Sequence, residues 1–148
     1  GTTILEGLIE NAPLGIEVVS DPLANSVKGD LAIVVIGEDP YTEFFGDRDS
    51  LNLNEEDLQV IENAKAQGMK LVVLLISGRP MNIADHFDNW DAFAAIWLPG
   101  SEGEGVADVI FGNYNPTGRL SFPWPVHSEE GTSASSMLYN LGAGLSYE

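Results

Sequence analysis

Apolar residues along this chain fall into two kinds of run, and the alternation between them predicts an α/β fold. Leu31 to Ile36 (LAIVVI) and Leu71 to Ile76 (LVVLLI) are nearly unbroken apolar stretches of strand length, the pattern of parallel strands buried on both faces. Ala92 to Leu98 (AFAAIWL) reads as a third strand, stopped by Pro99-Gly100; Gly15 to Ser20 (GIEVVS) and Arg119 to Phe122 read as two more. Between these runs the apolar positions recur at helical spacing. Ile4, Leu5, Leu8, Ile9 and Ala12 make an opening amphipathic helix, and Leu58, Ile61 and Ala64 form the inner stripe of a second. Val106, Val109 and Ile110 mark another, ended by Gly112, and a short helix falls around Ile83 to Phe87. The second helix has the clearest boundaries: Asn54 as N-cap, Glu55, Glu56 and Asp57 in the first turn where the helix dipole favours acids, and Gly68 as the C′ residue. The sum is a single domain over residues 1–148, α/β in class. It predicts a three-layer sandwich whose mostly parallel central sheet has about five or six strands, with helices on both faces. Ser128 to Ser136, rich in Ser, Gly, Glu and Thr, reads as a flexible loop.

Helical crossovers between parallel strands bring the loops after Ile36, Ile76 and Leu98 to one edge of the sheet, the carboxyl edge where open α/β sheets place ligands. The first of these, from Gly37 to about Leu53, is longer than the usual βα connection of about 2–6 residues, and long loops in compact domains are commonly functional. It carries Tyr41, Phe44 and Phe45, aromatics costly to leave in water, which should pack on something such as a partner domain. Glu43 lies among them. A carboxyl beside apolar rings loses hydration, which raises its pKa and suits it to general acid work; the plain alternative is a solvated loop acid. The three arginines each lie in a turn marked by Gly or Pro: Arg48 in GDRD, Arg79 in SGRP and Arg119 in PTGRL. They read as structural supports that fix loops through carboxylate or carbonyl bonds, with Arg48 and Arg79 also able to orient the acidic loop.

Charge narrows the partners. Twenty-three acids against six Lys and Arg give a formal net charge of −17, a field that repels phosphate backbones and anionic lipid and so disfavours nucleic acid and membrane surfaces. A neutral sugar remains compatible. With no cysteine, disulfides and thiolate chemistry are excluded. His86 and His127 stand without spaced metal partners, so no metal site and no cofactor is expected. The Gly-rich run Gly100 to Gly105 opens a helix and raises a noncatalytic small-ligand or nucleotide-binding module as an alternative, but Glu102 and Glu104 would repel a phosphate and no Walker lysine follows. Tight packing and helix capping are its expected roles. Ser77 lacks a G-x-S-x-G setting. Trp90, Trp97 and Trp124 could stack on sugars, though aromatics of this kind more often build core. No basic-then-apolar stretch with a small-residue cleavage site opens the chain, so no targeting signal is read in these residues, which says nothing of a longer parent protein.

Four segments in order carry a family resemblance: GEDPYTEFFGDRDSLNL (37–53), VVLLISGRPMNI (72–83), AAIWLPGSEGEGVADVIFGNYNPTGRLSFPWP (94–125) and YNLGAGLSYE (139–148), with GTTILEGL (1–8) fitting ahead of them. They resemble the second, carboxyl-terminal domain of glycoside hydrolase family 3, most closely its plant and bacterial exo-β-glucanases. The resemblance implies one domain of a retaining exo-hydrolase acting on β-glucans or β-glucosides. A preceding barrel domain of the same polypeptide then supplies an Asp nucleophile, and this domain supplies the general acid/base. By the family pattern that group is the Glu of the PYTE segment, Glu43, with Glu38 as second choice. The isolated chain is expected to be inactive, and secretion or a periplasmic location is expected from the family alone.

Overall fold

A computed structural model describes residues 1–127 and 136–147; the expected loop at 128–136 therefore lies almost wholly outside the described residues. The chain runs through helix α1 (Ile4–Asn11), strand β1 (Leu31–Gly37), a short 3₁₀ turn (Glu43–Gly46), α2 (Glu55–Ala66), β2 (Lys70–Ile76), α3 (Ala84–Phe87), β3 (Ala92–Trp97), α4 (Gly103–Ile110), β4 (Trp124–Pro125) and β5 (Met137–Tyr139). Strands β1, β2 and β3 form one parallel sheet in that order, and β4 pairs with β5 as a separate antiparallel ribbon.

β2 lies in the middle, as its unbroken apolar sequence requires. Val73 and Leu75 point to one face and Leu74 to the other, and all three are fully buried, so both faces are covered at β2, while Val35 of the edge strand β1, on the Leu74 face, stays exposed. On the first face Val34, Ile36, Leu71, Val73 and Leu75 pack with Ile61 and Ala64 of α2 and with Met81, Ile83, Trp90 and Trp124 in a single core. Helices α1 and α4 pack on each other at an approach that only glycine permits: a Cβ on Gly7 would stand 2.6 Å from the Gly103 carbonyl oxygen, and one on Gly103 would stand 2.2 Å from that of Thr3. The arrangement is a three-layer α/β fold.

Three expectations are corrected. The parallel sheet has three strands among the described residues, not five or six. Gly15 to Ser20 forms no strand. The carboxylate of Asp21 instead accepts the backbone N–H groups of Ser26 at 2.7 Å and Val27 at 2.8 Å. That tight local turn competes with any ladder, and Ile16 and Val19 are left exposed. Arg119 to Phe122 is likewise not a strand. Leu120 alone bonds the 142–143 segment, its N–H to Ala143 and its carbonyl to Gly142. Pro123, lacking an N–H, separates it from the short strand at Trp124.

The aromatic residues behave as core. Phe93 stacks with Trp90 and meets Trp124 edge-on, with ring centroids 5.6 and 5.7 Å apart. The Trp124 indole N–H donates to the Met81 carbonyl at 2.9 Å. None of the three tryptophans presents an open face for a sugar: Trp90 and Trp124 are buried, and half-buried Trp97 packs against Phe122 and Trp124.

Helix α2 begins as its sequence dictates, with the Asn54 side chain accepting the Asp57 N–H at 2.7 Å. Asp57 also reaches across to the end of β1, where its Oδ2 accepts the Gly37 N–H at 3.1 Å and the Asn54 amide at 3.0 Å. Burial pushes the Asp57 carboxyl above the usual range, against the lowering effect of these two bonds. A carboxyl whose pKa is higher folded than unfolded binds a proton on folding. Its contribution to stability is therefore fully present in acid and is lost as pH rises through the folded value. Both bonds fall on one oxygen, which an amide can replace. Asp57→Asn is expected to match or exceed the native urea midpoint at pH 7 and to lose that advantage below the ordinary carboxylate range. A variant markedly weaker at pH 7 would mean that the charge itself stabilises this corner.

Candidate active site

The parallel register carries all three strands to one edge, where backbone bonds join them. Glu38 N–H donates to the Ile76 carbonyl at 3.0 Å and Ser77 N–H to that of Trp97 at 3.2 Å. One extra residue in β3, Ile96, bulges out opposite the Leu75–Ile76 step. Trp97, the last residue of β3, then takes the left-handed region, at φ 53°.

The first loop is tied down at both ends by the second. At its start the side chain of Glu38, only 2 % exposed, gathers two arginines. Its Oε1 accepts from Arg79 Nε at 3.1 Å and Nη2 at 3.0 Å, and also from Arg48 Nη2. Its Oε2 accepts from the Tyr41 hydroxyl at 3.2 Å. The Arg79 guanidinium also lies over the Tyr41 ring, 4.7 Å from its centroid. Buried Ser77 fixes the turn that carries Arg79 by donating its hydroxyl to the Arg79 carbonyl at 2.7 Å. At the loop's far end Asn82 N–H donates to the Leu51 carbonyl at 2.8 Å, and its amide to the Asn52 side chain at 2.7 Å.

Between the two ties the chain arches outward as the 3₁₀ turn Glu43–Gly46. Glu43 is the exposed first residue of that turn. Its side chain has no hydrogen-bond or ion-pair partner among the described residues. Its backbone is left-handed, at φ 50°, a region costing a residue with a side chain on the order of 1–2 kcal/mol. Such strain persists where surrounding structure imposes it, and it gathers at working sites. Phe44 and Phe45 follow, their ring centroids 4.5 Å apart and their surfaces 67 % and 74 % exposed, so the apolar packing expected for them is not supplied by the described residues of this chain.

The two candidate glutamates thus occupy opposite settings. Glu38 is buried and saturated with donors; Glu43 is open and uncommitted. Arg48 and Arg79 meet on Glu38. Arg119 lies apart, exposed, donating to the Gly118 carbonyl at 2.9 Å and to that of Leu145 at 3.4 Å. The sequence reading did not foresee that both arginines share one carboxylate, nor that Tyr41 is packed among them.

The Gly-rich start of α4 is not an open anion cradle. Gly103 N–H donates to the Thr2 carbonyl at 3.0 Å, Gly105 N–H to that of Glu102 at 3.1 Å, and Glu104 accepts the Thr2 hydroxyl at 2.8 Å. These donors are spent inside the fold, and the side chain of Glu102 makes no cap bond. The expected tight packing is present there. His127 Nε2 lies 3.9 Å from Asp85, and no group of three metal-binding side chains assembles among the described residues.

Comparison with known proteins settles the family. The model for the glycosyl hydrolase family 3 C-terminal domain matches residues 2–147. This chain belongs to that family. A lysosomal β-glucosidase of Dictyostelium discoideum is 31 % identical over 130 residues, covering 80 % of this family 3 domain and 16 % of its own length. A periplasmic β-glucosidase of Salmonella typhimurium is 29 % identical over 109 residues, covering 72 % and 14 %. Among solved structures, the exo-1,3/1,4-β-glucanase of a Pseudoalteromonas species superposes with a TM-score of 0.82 at 36 % identity, covering 99 % of this chain and 20 % of that one. The family 3 domain therefore spans a fifth or less of each of these relatives.

Proposed function

We propose that this family 3 domain supplies the general acid/base of a retaining exo-β-glucanase or β-glucosidase, and that Glu43 is that group. The observation that carries the reading is Glu43 itself: an unpartnered carboxylate held in a costly backbone conformation on an arch at the carboxyl edge of the sheet. The relatives' names, β-glucosidases and an exo-1,3/1,4-β-glucanase, supply the substrate class.

A retaining glycosidase needs two carboxyl groups about 5–5.5 Å apart, one attacking the anomeric carbon and one protonating the departing oxygen. In the second half-reaction the same acid, now a base, takes a proton from the water that releases the sugar. The nucleophile lies outside this chain, on a preceding barrel domain of the same polypeptide. Phe44 and Phe45, open here, fit the face turned toward that barrel and the bound sugar. The reading makes residues 1–148 the second domain of the enzyme, inactive alone, with no cofactor. Arg48, Arg79 and Arg119 act as structural supports. The periplasmic and lysosomal relatives favour a compartment outside the cytoplasm. No helix among the described residues is long and apolar enough to cross a membrane.

Azide tests the assignment. In the full-length enzyme, Glu43→Ala is expected to form its glycosyl intermediate from an aryl β-glucoside with an activated leaving group and then stall, because no base activates water. Azide needs no base. Its addition should restore turnover and yield the β-glucosyl azide. Undiminished hydrolysis by Glu43→Ala, with no azide product, would place the acid/base elsewhere.

A further inference from the structure

Tyr41 is 38 % exposed, yet its ring is where the first loop meets both itself and the second loop. Its ring fills the base of the arch: a Cβ built on Gly46 would lie 2.5 Å from Tyr41 Cδ2 and 2.8 Å from Cε2. Residues 41 and 46 are therefore in contact, and the four residues between them, Glu43 included, are forced outward. On its other side the ring meets the second loop. A Cβ on Gly78 would lie 2.7 Å from the Tyr41 hydroxyl oxygen, with the next ring atom at 3.7 Å. Arg79 covers the ring face, and Glu38, clamped by Arg79 and Arg48, accepts from the hydroxyl. The ring is thus bounded by two glycines and one guanidinium, and its tip is hydrogen-bonded.

We infer that Tyr41 is a positioning residue that sets the place of Glu43, with Gly46 and Gly78 left without side chains to admit its ring. The inference rests on the proposed role of Glu43. The Glu43 side chain makes no hydrogen bond or ion pair among the described residues that could fix it, so its position is inherited from the 3₁₀ turn, and the arch that carries the turn is closed by the Tyr41–Gly46 contact. A misplacement of about 1 Å in a reacting group can cost on the order of 10²-fold in rate. A shift confined to the acid is costly only where the leaving group needs a proton.

The test uses that selectivity in the full-length enzyme. The readout is kcat/KM, which covers the steps up to loss of the leaving group, measured for phenyl β-glucoside and for 2,4-dinitrophenyl β-glucoside. Tyr41→Ala is expected to lower the phenyl value by about 10–10²-fold while leaving the dinitrophenyl value within about threefold. Gly78→Ala, which collides with the hydroxyl, should show the same selective loss, and Tyr41→Phe in the same chain should restore it by removing the oxygen. Gly46→Ala collides with ring carbons, so Tyr41→Phe should not rescue it. Should Tyr41→Ala fold poorly, the Gly78 pair carries the test alone. Equal losses on both substrates, or no rescue of Gly78→Ala, overturn the inference even where Glu43→Gln is leaving-group selective. If Glu43→Gln itself lacks that selectivity, the assignment of Glu43 fails and this inference falls with it.

Discussion

Glu43→Gln in the full-length enzyme is expected to lower kcat/KM on substrates with poor leaving groups by about 10²–10⁴-fold, the usual share of a general acid, while leaving thermal stability unchanged. The two halves of that result come from the same observation. The Glu43 side chain is exposed and makes no hydrogen bond or ion pair among the described residues, so the amide removes a transferable proton and no native polar contact of the side chain. Substitutions of that kind stay within about 0.5 kcal/mol of the native stability. The left-handed backbone sharpens the case. Glycine occupies φ 50° without steric cost, so Glu43→Gly regains strain that offsets the entropy glycine loses on folding. It should be no less stable than Glu43→Gln and equally inactive on such substrates. A position that tolerates glycine in stability and no exchange in catalysis is one where strain is maintained for chemistry. Two outcomes would sink the assignment: full activity of Glu43→Gln on an unactivated substrate, or a large loss of stability in either variant.

How much of this was legible in the residues follows from what each signal encodes. LVVLLI could be read as a strand buried on both faces because such burial leaves no polar position, and it became the central β2; LAIVVI became the edge strand β1, where Leu31 and Val35 stay exposed, so its expected burial on both faces is corrected. Asn54 and Gly68 marked α2 because caps are local: the Asn54 side chain bonds three residues on, and Gly68 takes φ 79°. GIEVVS misled because alternation states only that a segment could join a sheet. Whether it does depends on a partner edge and on what its neighbours do, and here Asp21 commits the following residues to a turn. The same gap explains the strand count. At the edge, the length and aromatics of the 37–53 loop drew attention to Glu43 with a solvated loop acid as the alternative, and the family resemblance chose it, while no spacing joins Glu38 to Arg79 across 41 positions. Residues that act through their own backbone were visible in the sequence. Those that act through contacts between loops required the fold.

Glu38→Ala is expected to do the reverse of Glu43→Gln, lowering stability by about 2–3 kcal/mol. The carboxylate is almost fully buried, and its removal strands both guanidinium groups and the Tyr41 hydroxyl. Breaking a buried pair commonly costs about 3–5 kcal/mol; Arg48 and Arg79, with side chains 41 % and 26 % exposed, can turn toward water and recover part of it. Arg48→Ala leaves Arg79 in place on Glu38 and should cost about 1 kcal/mol. The two losses will not add, because they share one carboxylate. Urea midpoints at pH 7 decide the matter, and a Glu38→Ala midpoint equal to the native one would sink it. The more informative variant replaces the whole group with apolar residues of similar volume, as Glu38→Met with Arg48→Leu and Arg79→Met. Buried ion clusters exchanged in this way often lose no stability. If the cluster serves only to hold the domain together, that triple variant in the full-length enzyme keeps its activity. If the cluster fixes the register of one loop against the next, stability returns while turnover of poor leaving groups does not, because Tyr41 has lost the cation over its ring and the first loop its tie to the second. The second outcome is the one the geometry at Glu38 predicts.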